Sequence, residues 1–210
     1  GFVDSAHPWP LCDSCAATLA PIVPPACPAC GRALISEVGM CVRCRSRDRP
    51  YGRVEALYAY AGSAKDLVGA YKFAGRTSLA YFLADVVAQR LRHSFPGRVL
   101  IPVPPRPGKR KANGWDQVDV LATILQRRYG IVVMRVLKRR GRSQQKRLNA
   151  QERFANAARS YSLIRRAITV PADPVLLDDV ITTGATLSAC ASILRAAGAT
   201  TVDALALATD

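Results

Sequence analysis

The rhythm of apolar and polar positions changes near Arg53. Downstream of it, short apolar runs alternate with stretches of helical period. Val54 to Tyr60 alternates as a strand does, and Gly62 ends it. Lys65 to Ala74 and Leu79 to Leu91 read as helices, and Val99 to Val103 as a strand running into Pro102–Pro105. Trp115 to Tyr129 reads as a helix and Ile131 to Leu137 as a strand. Arg142 to Tyr161 is polar and irregular. Val175 to Leu177 is a strand apolar on both faces, Ala185 to Ala197 a helix, and Val202 to Ala208 the last strand. Strands alternating with helices predict an α/β fold, a mainly parallel sheet with flanking helices on both faces. Residues 53–210 would form this domain and residues 1–52 a separate small module.

That module has another texture. Pro21, Pro24, Pro25 and Pro28 limit any helix to Cys12–Ala20. It holds too few apolar residues for a core, so a metal must supply folding energy. Six of the seven cysteines fall in C-x-x-C pairs. Cys27-Pro28-Ala29-Cys30-Gly31 and Cys41-Val42-Arg43-Cys44 are two knuckles with ten residues between them. That is the spacing of a closed, structural four-cysteine zinc site of ribbon type. Cys12 and Cys15 are left over. They could share a second zinc with a pair upstream of Gly1 or replace one of the other pairs; a redox reading lacks the βαβ context that such motifs have. Reduced, metal-binding cysteines point to the cytoplasm. The 210-residue chain has no apolar run of spanning length and no signal-peptide pattern. It lacks an initiator Met, which suggests a trimmed or partial sequence.

Charge adds a polyanion. Against 15 Asp+Glu stand 30 Lys+Arg, and from Arg98 to Arg147 fourteen basic residues face only Asp116 and Asp119. Polyphosphates and nucleic acid both suit such a surface, and so does simple solvation, as for Lys138-Arg139-Arg140.

The densest chemistry is Val175-Leu176-Leu177-Asp178-Asp179-Val180-Ile181-Thr182-Thr183-Gly184-Ala185-Thr186. Carboxylates at the carboxyl end of a buried strand sit where open α/β sheets bind ligands. The turn that follows offers backbone N–H groups, hydroxyls and a helix N-terminus to a phosphate. A solvated Asp pair and an ordinary Thr N-cap would explain either part alone, but not the unbroken order. Asp178 and Asp179 would clamp a ribose diol; Thr182, Thr183, Gly184, Ala185 and Thr186 would hold its 5-phosphate. A second basic loop, Arg106, Lys109, Arg110 and Lys111, also lies between strand and helix and could hold pyrophosphate with Mg2+. Gln144, Gln145, Lys146, Arg153 and Asn156 fall in a polar stretch long enough for a lid. Trp115 and Cys190 read as packing residues, and His7 and His93 as solvated or packing side chains.

The Asp178–Thr186 segment resembles the phosphoribosyl diphosphate (PRPP) signature of type I phosphoribosyltransferases. Together with the knuckles, Tyr71-Lys72-Phe73-x-Gly75-Arg76, Pro102-Val103-Pro104, Arg110-x-x-Asn113-Gly114-Trp115-Asp116-Gln117 and Gln144/Gln145 to Asn156, nearly the whole chain resembles the ComF family. The resemblance implies a phosphoribosyltransferase-like domain behind a zinc finger, with PRPP and Mg2+ as ligands and Lys72 beside the pyrophosphate. It also implies a cytoplasmic role in DNA uptake, with single-stranded DNA and the uptake machinery as partners, at the inner face of the membrane. Transfer of phosphoribose to a nitrogen acceptor is one implied activity; DNA binding with a regulatory pocket is the other. Two departures stand out. Gly114-Trp115-Asp116-Gln117 replaces the family's Gly-Phe-Asn-Gln, which puts the role of that amide in doubt. A further upstream cysteine pair is missing, which would leave Cys12 and Cys15 unpartnered.

Overall fold

A computed structural model describes residues 10–105, 114–140, 160–165 and 169–210. The basic loop Arg106–Lys111, the lid stretch with Gln144, Gln145, Lys146, Arg153 and Asn156, and His7 lie outside the described residues.

In chain order the elements are α1 (Asp13–Ala17), β1 (Val54–Ala59), α2 (Gly62–Lys72), α3 (Leu79–Ser94), β2 (Leu100–Pro102), α4 (Gln117–Tyr129), β3 (Leu137–Arg139), β4 (Tyr161–Leu163), β5 (Val175–Ile181), α5 (Ala185–Ala196) and β6 (Asp203–Thr209). Strands β1, β6, β5 and β2 pair in that order, every pair parallel. The α/β expectation holds, with helices on both faces. Alternation along the strands divides the core. Leu177, Leu205 and Leu207 meet α2, α3 and α4 on one side. Leu176, Ala204 and Ala206 meet α5 and the β3–β4 hairpin on the other. Small side chains on both surfaces there, Ala204 and Ala206 against Ala189, Cys190 and Ala191, allow α5 to lie close on the sheet. That places its N-terminus beside the end of β5.

Two elements differ from the pattern-based reading. The stretch read as a strand from Ile131 to Leu137 touches the sheet only in a parallel bridge of Val133 to Leu100. Its regular pairing begins at Leu137 and is antiparallel to Tyr161–Leu163. Strand β5 runs past the apolar run, through both aspartates to Ile181, because Val180 and Ile181 still pair with Ala208 and Thr209 of β6.

The Cys module packs on the sheet edge at β1. Ile22 N–H donates to Leu57 O at 2.8 Å and Val54 N–H to Pro28 O at 2.7 Å. Gly31, at φ +75°, is required at this seam: a Cβ there would lie 2.7 Å from Ala56 N. No helix among the described residues is long and apolar enough to cross a membrane.

Candidate functional site

The ends of β5, α2, α4 and α5 converge on Asp178 and Asp179. Asp179 is buried, at 7 % exposure, and fully engaged. Lys72 Nζ, from the last turn of α2, lies 2.7 Å from Asp179 Oδ2. Gln117 Nε2, at the start of α4, donates to the same oxygen, and Val180 N–H donates to Oδ1 at 2.7 Å. A buried carboxylate with a cation and two N–H donors is held in one orientation.

Asp178 is provisioned differently. Its Oδ1 accepts from Asp179 N–H at 2.9 Å, and it has no ion pair among the described residues. Burial, and next the Asp179 charge, push its carboxyl from an ordinary 3.8 up to about 8. A group in that state takes up a proton, a cation or a hydroxyl donor readily.

Helix α4 is anchored for this work. Asp116 Oδ1 caps it by accepting from Asp119 N–H at 2.9 Å, and Tyr71 Oη donates to Gln117 O at 2.6 Å. Burial, then the Asp116 and Asp179 charges, push the Tyr71 phenol far up, so it serves as a neutral donor. Asn and Asp cap helices equally well. The departure from Asn to Asp at 116 therefore leaves the capping function intact, and the amide that reaches the acidic pair belongs to its neighbour Gln117. Trp115 packs at 5.3 Å from the Tyr71 ring, as a packing residue should. Cys190 is fully buried, and His93 is exposed.

The Thr182–Thr186 turn opens α5. Gly184 takes φ +74°, and a Cβ there would sit 2.6 Å from Tyr51 Oη, so conformation and space both require glycine. Thr183 Oγ1 accepts from Ala185 N–H at 3.4 Å. Thr182 is exposed while Gly184 and Ala185 are buried, which presents the turn to solvent at a helix N-terminus. Tyr161 of β4 hydrogen-bonds the Thr186 side chain; burial first of all raises its phenol to about 12.

The sulfur atoms of Cys27, Cys30, Cys41 and Cys44 lie within 4.8 Å of one another. Cys30 and Cys41 are 3.8 Å apart, and a tetrahedron with metal–sulfur bonds of about 2.3 Å has edges of about 3.8 Å. Burial foremost pushes the Cys44 thiol up to about 11 and the Cys30 thiol further still, so a cation is needed to hold these two as thiolates. The four cysteines thus form a site fit for a metal ion. Cys12 and Cys15 do not join it; Cys12 Sγ contacts Ser14 Oγ at 3.1 Å.

Pattern reading missed Gln117, the Lys72–Asp179 pair and the Tyr51 contact. The family resemblance puts Lys72 at the pyrophosphate, and the structure sets it against the acidic pair. Its position in the C-terminal turn of α2 is the signal that could have suggested this.

No family model matches the chain. Competence protein ComFC of Streptococcus pneumoniae is 29% identical over 204 residues, spanning 94% of this chain and 86% of that protein. DNA utilization protein YhgH of Salmonella typhimurium is 28% identical over 206 residues, spanning 92% and 88%. An adenine phosphoribosyltransferase from Saccharomyces cerevisiae superposes with a TM-score of 0.37 at 19% identity, over 61% of this chain and 69% of that one. Over most of its length the chain is similar to ComFC and YhgH, which supports its likeness to the ComF family.

Proposed function

We propose that the chain binds PRPP with Mg2+ and acts in DNA uptake, transferring phosphoribose to a nitrogen acceptor in the cytoplasm. The observation that carries this reading is the junction of β5 and α5. There an Asp179 pinned by Lys72 and a partner-poor Asp178 precede a glycine turn at a helix N-terminus. Asp178 and Asp179 take the ribose hydroxyls; Thr182 to Thr186 take the 5-phosphate. Lys72 fixes Asp179 and would share the charge of a pyrophosphate with Arg106, Lys109 and Arg110. Mg2+, when bound, neutralises the pyrophosphate.

Transfer forms a bond from nitrogen to the anomeric carbon while the pyrophosphate oxygen leaves with its electron pair. The chain contributes positioning and fixed charge to that step, and no covalent nucleophile. The metal held by Cys27, Cys30, Cys41 and Cys44 is read as a structural zinc. Residues 1–52 then form the zinc-binding part and 53–210 the phosphoribosyl-binding part.

The names of the relatives, competence protein and DNA utilization protein, also support a second reading. In it the chain binds single-stranded DNA and the pocket regulates that binding. The basic excess from Arg98 to Arg147 suits it.

Calorimetric titration of the zinc-loaded chain with Mg-PRPP tests the first reading. Binding in about the micromolar range, weakened roughly thirtyfold or more by Asp179→Asn, is the expected result. Absence of binding to folded wild-type protein overturns it. PRPP binding without turnover, alongside oligonucleotide binding that falls steeply with salt, selects the second.

A further inference from the structure

Lys72 occupies the place that a ribose hydroxyl would need. Asp179 Oδ2 accepts from Lys72 Nζ at 2.7 Å and from Gln117 Nε2. A carboxylate oxygen offers about two lone-pair sites, so the protein itself fills Oδ2. Oδ1 is turned onto its own strand, where it accepts from Val180 N–H at 2.7 Å. A hydroxyl that donates to Oδ2 therefore has to replace one of the two resident donors.

Those donors are held unequally. Gln117 is 5% exposed, its carbonyl accepts from Tyr71 Oη at 2.6 Å, and Asp116 caps its helix. Lys72 stands on the last turn of α2 with its side chain 23% exposed, an ammonium on a flexible four-carbon stem. An ion pair with a partly exposed member is a weak tie. The ammonium also has a second resting place. Phe73, the C-cap residue of α2, is 75% exposed, and its ring centroid lies 5.6 Å from Lys72 Nζ. That is within cation–π range, so Lys72 can leave the carboxylate without losing every partner.

Displacing Lys72 takes a cation off a carboxylate in a site that has to hold an anion. A ligand with a hydroxyl at its anomeric carbon offers the freed ammonium nothing in return. One with pyrophosphate there offers it a charged acceptor.

We propose that Lys72 is the residue by which the site tells ribose 5-phosphate from its 1-diphosphate. In the empty site it fills the ribose acceptor of Asp179. The ribose hydroxyl displaces it, and the anion at the anomeric carbon takes up its ammonium. The cost of displacement falls on every ribosyl ligand, and only one with an anion at that carbon offsets it. The inference rests on Asp179 being the ribose clamp. It gives Lys72 both of its places, at the acidic pair before binding and at the pyrophosphate after it.

The test is calorimetry on the zinc-loaded full chain with ribose 5-phosphate and with Mg-PRPP, comparing wild type with Lys72→Met. The variant should bind ribose 5-phosphate about three- to tenfold more tightly, because the resident competitor is gone. It should bind Mg-PRPP about tenfold less tightly, because the ammonium is gone too. A lysine that only props the fold cannot move the two affinities in opposite directions. Ribose 5-phosphate affinity that is unchanged or weaker in Lys72→Met overturns the inference, whatever Mg-PRPP does. Failure of the folded wild type to bind Mg-PRPP overturns the phosphoribosyl reading itself, and the role of Lys72 falls with it.

Discussion

The central strand pair carries carboxylates at both ends, and the two ends treat them in opposite ways. At the amino end of β6, Asp203 Oδ1 accepts from Arg53 N–H at 2.6 Å and Asp203 Oδ2 from Arg98 Nη1 at 2.5 Å. Arg98 also donates to Asp173 O and Pro174 O, which ties β6 to the loop before β5. Every part of that carboxylate is used. At the carboxyl end of β5, Asp179 is equally well served, but Asp178 keeps one backbone donor and a like charge beside it. A carboxylate saturated by the protein is fixed in place, whereas one left short of partners, as Asp178 is, stays open to a ligand. Asp203 and Asp178 are thus separated by partners and not by burial, since both are half-buried.

The sharpest way to break this contrast is Asp203→Ala. Removing a carboxylate that joins a guanidinium and a backbone donor should cost about 2–3 kcal/mol. In a chain of this size that lowers Tm by roughly 5–10 °C in scanning calorimetry. Affinity for Mg-PRPP should not change. If affinity falls in parallel, the two ends form one network and the distinction fails. A smaller effect is expected at Lys72, which is 23% exposed. Lys72→Gln should weaken Mg-PRPP binding about tenfold and move Tm by less than about 2 °C. A larger Tm change with unaltered affinity would make Lys72 another structural partner, like Arg98.

How much of this the sequence disclosed depends on range. The cysteine knuckles, the Asp-Asp pair and the Thr-Thr-Gly-x-Thr turn were legible because each lies within a few residues and its chemistry needs that spacing. The length of β5 was not, since two adjacent charges break the apolar run at Asp178. Only pairing to β6 shows that the strand continues. The β3–β4 hairpin was not legible either: Leu137 pairs with Leu163, and no local period signals a partner that far along. Gln117 reads as an ordinary first-turn residue until Asp179, 62 positions away, is brought against it. The placement of the Cys module was equally closed to inspection, because Gly31 and Gly184 look like turn glycines until Ala56 and Tyr51 fill the space where a Cβ would be.

Asp178 offers the finest test of the contrast, through pH. Its carboxyl ionises near 3.8 in the unfolded chain and at about 8 in the folded one. Between those values the folded state holds the extra proton, so stability is full below the lower value and declines as pH rises through the upper. Asn at this position cannot ionise, so Asp178→Asn should be pH-independent in that window. The variant should match the wild type near pH 4 and exceed it at pH 9 by about 1–2 kcal/mol, part of the charge being screened by the solvent-facing edge of the carboxylate. That corresponds to roughly 3–6 °C in Tm. Stability gained together with Mg-PRPP affinity lost would mark Asp178 as a group kept short of partners for its ligand. A variant that loses stability at pH 9 would show the carboxylate to be as well paired as Asp203, and the comparison between the two ends would not stand.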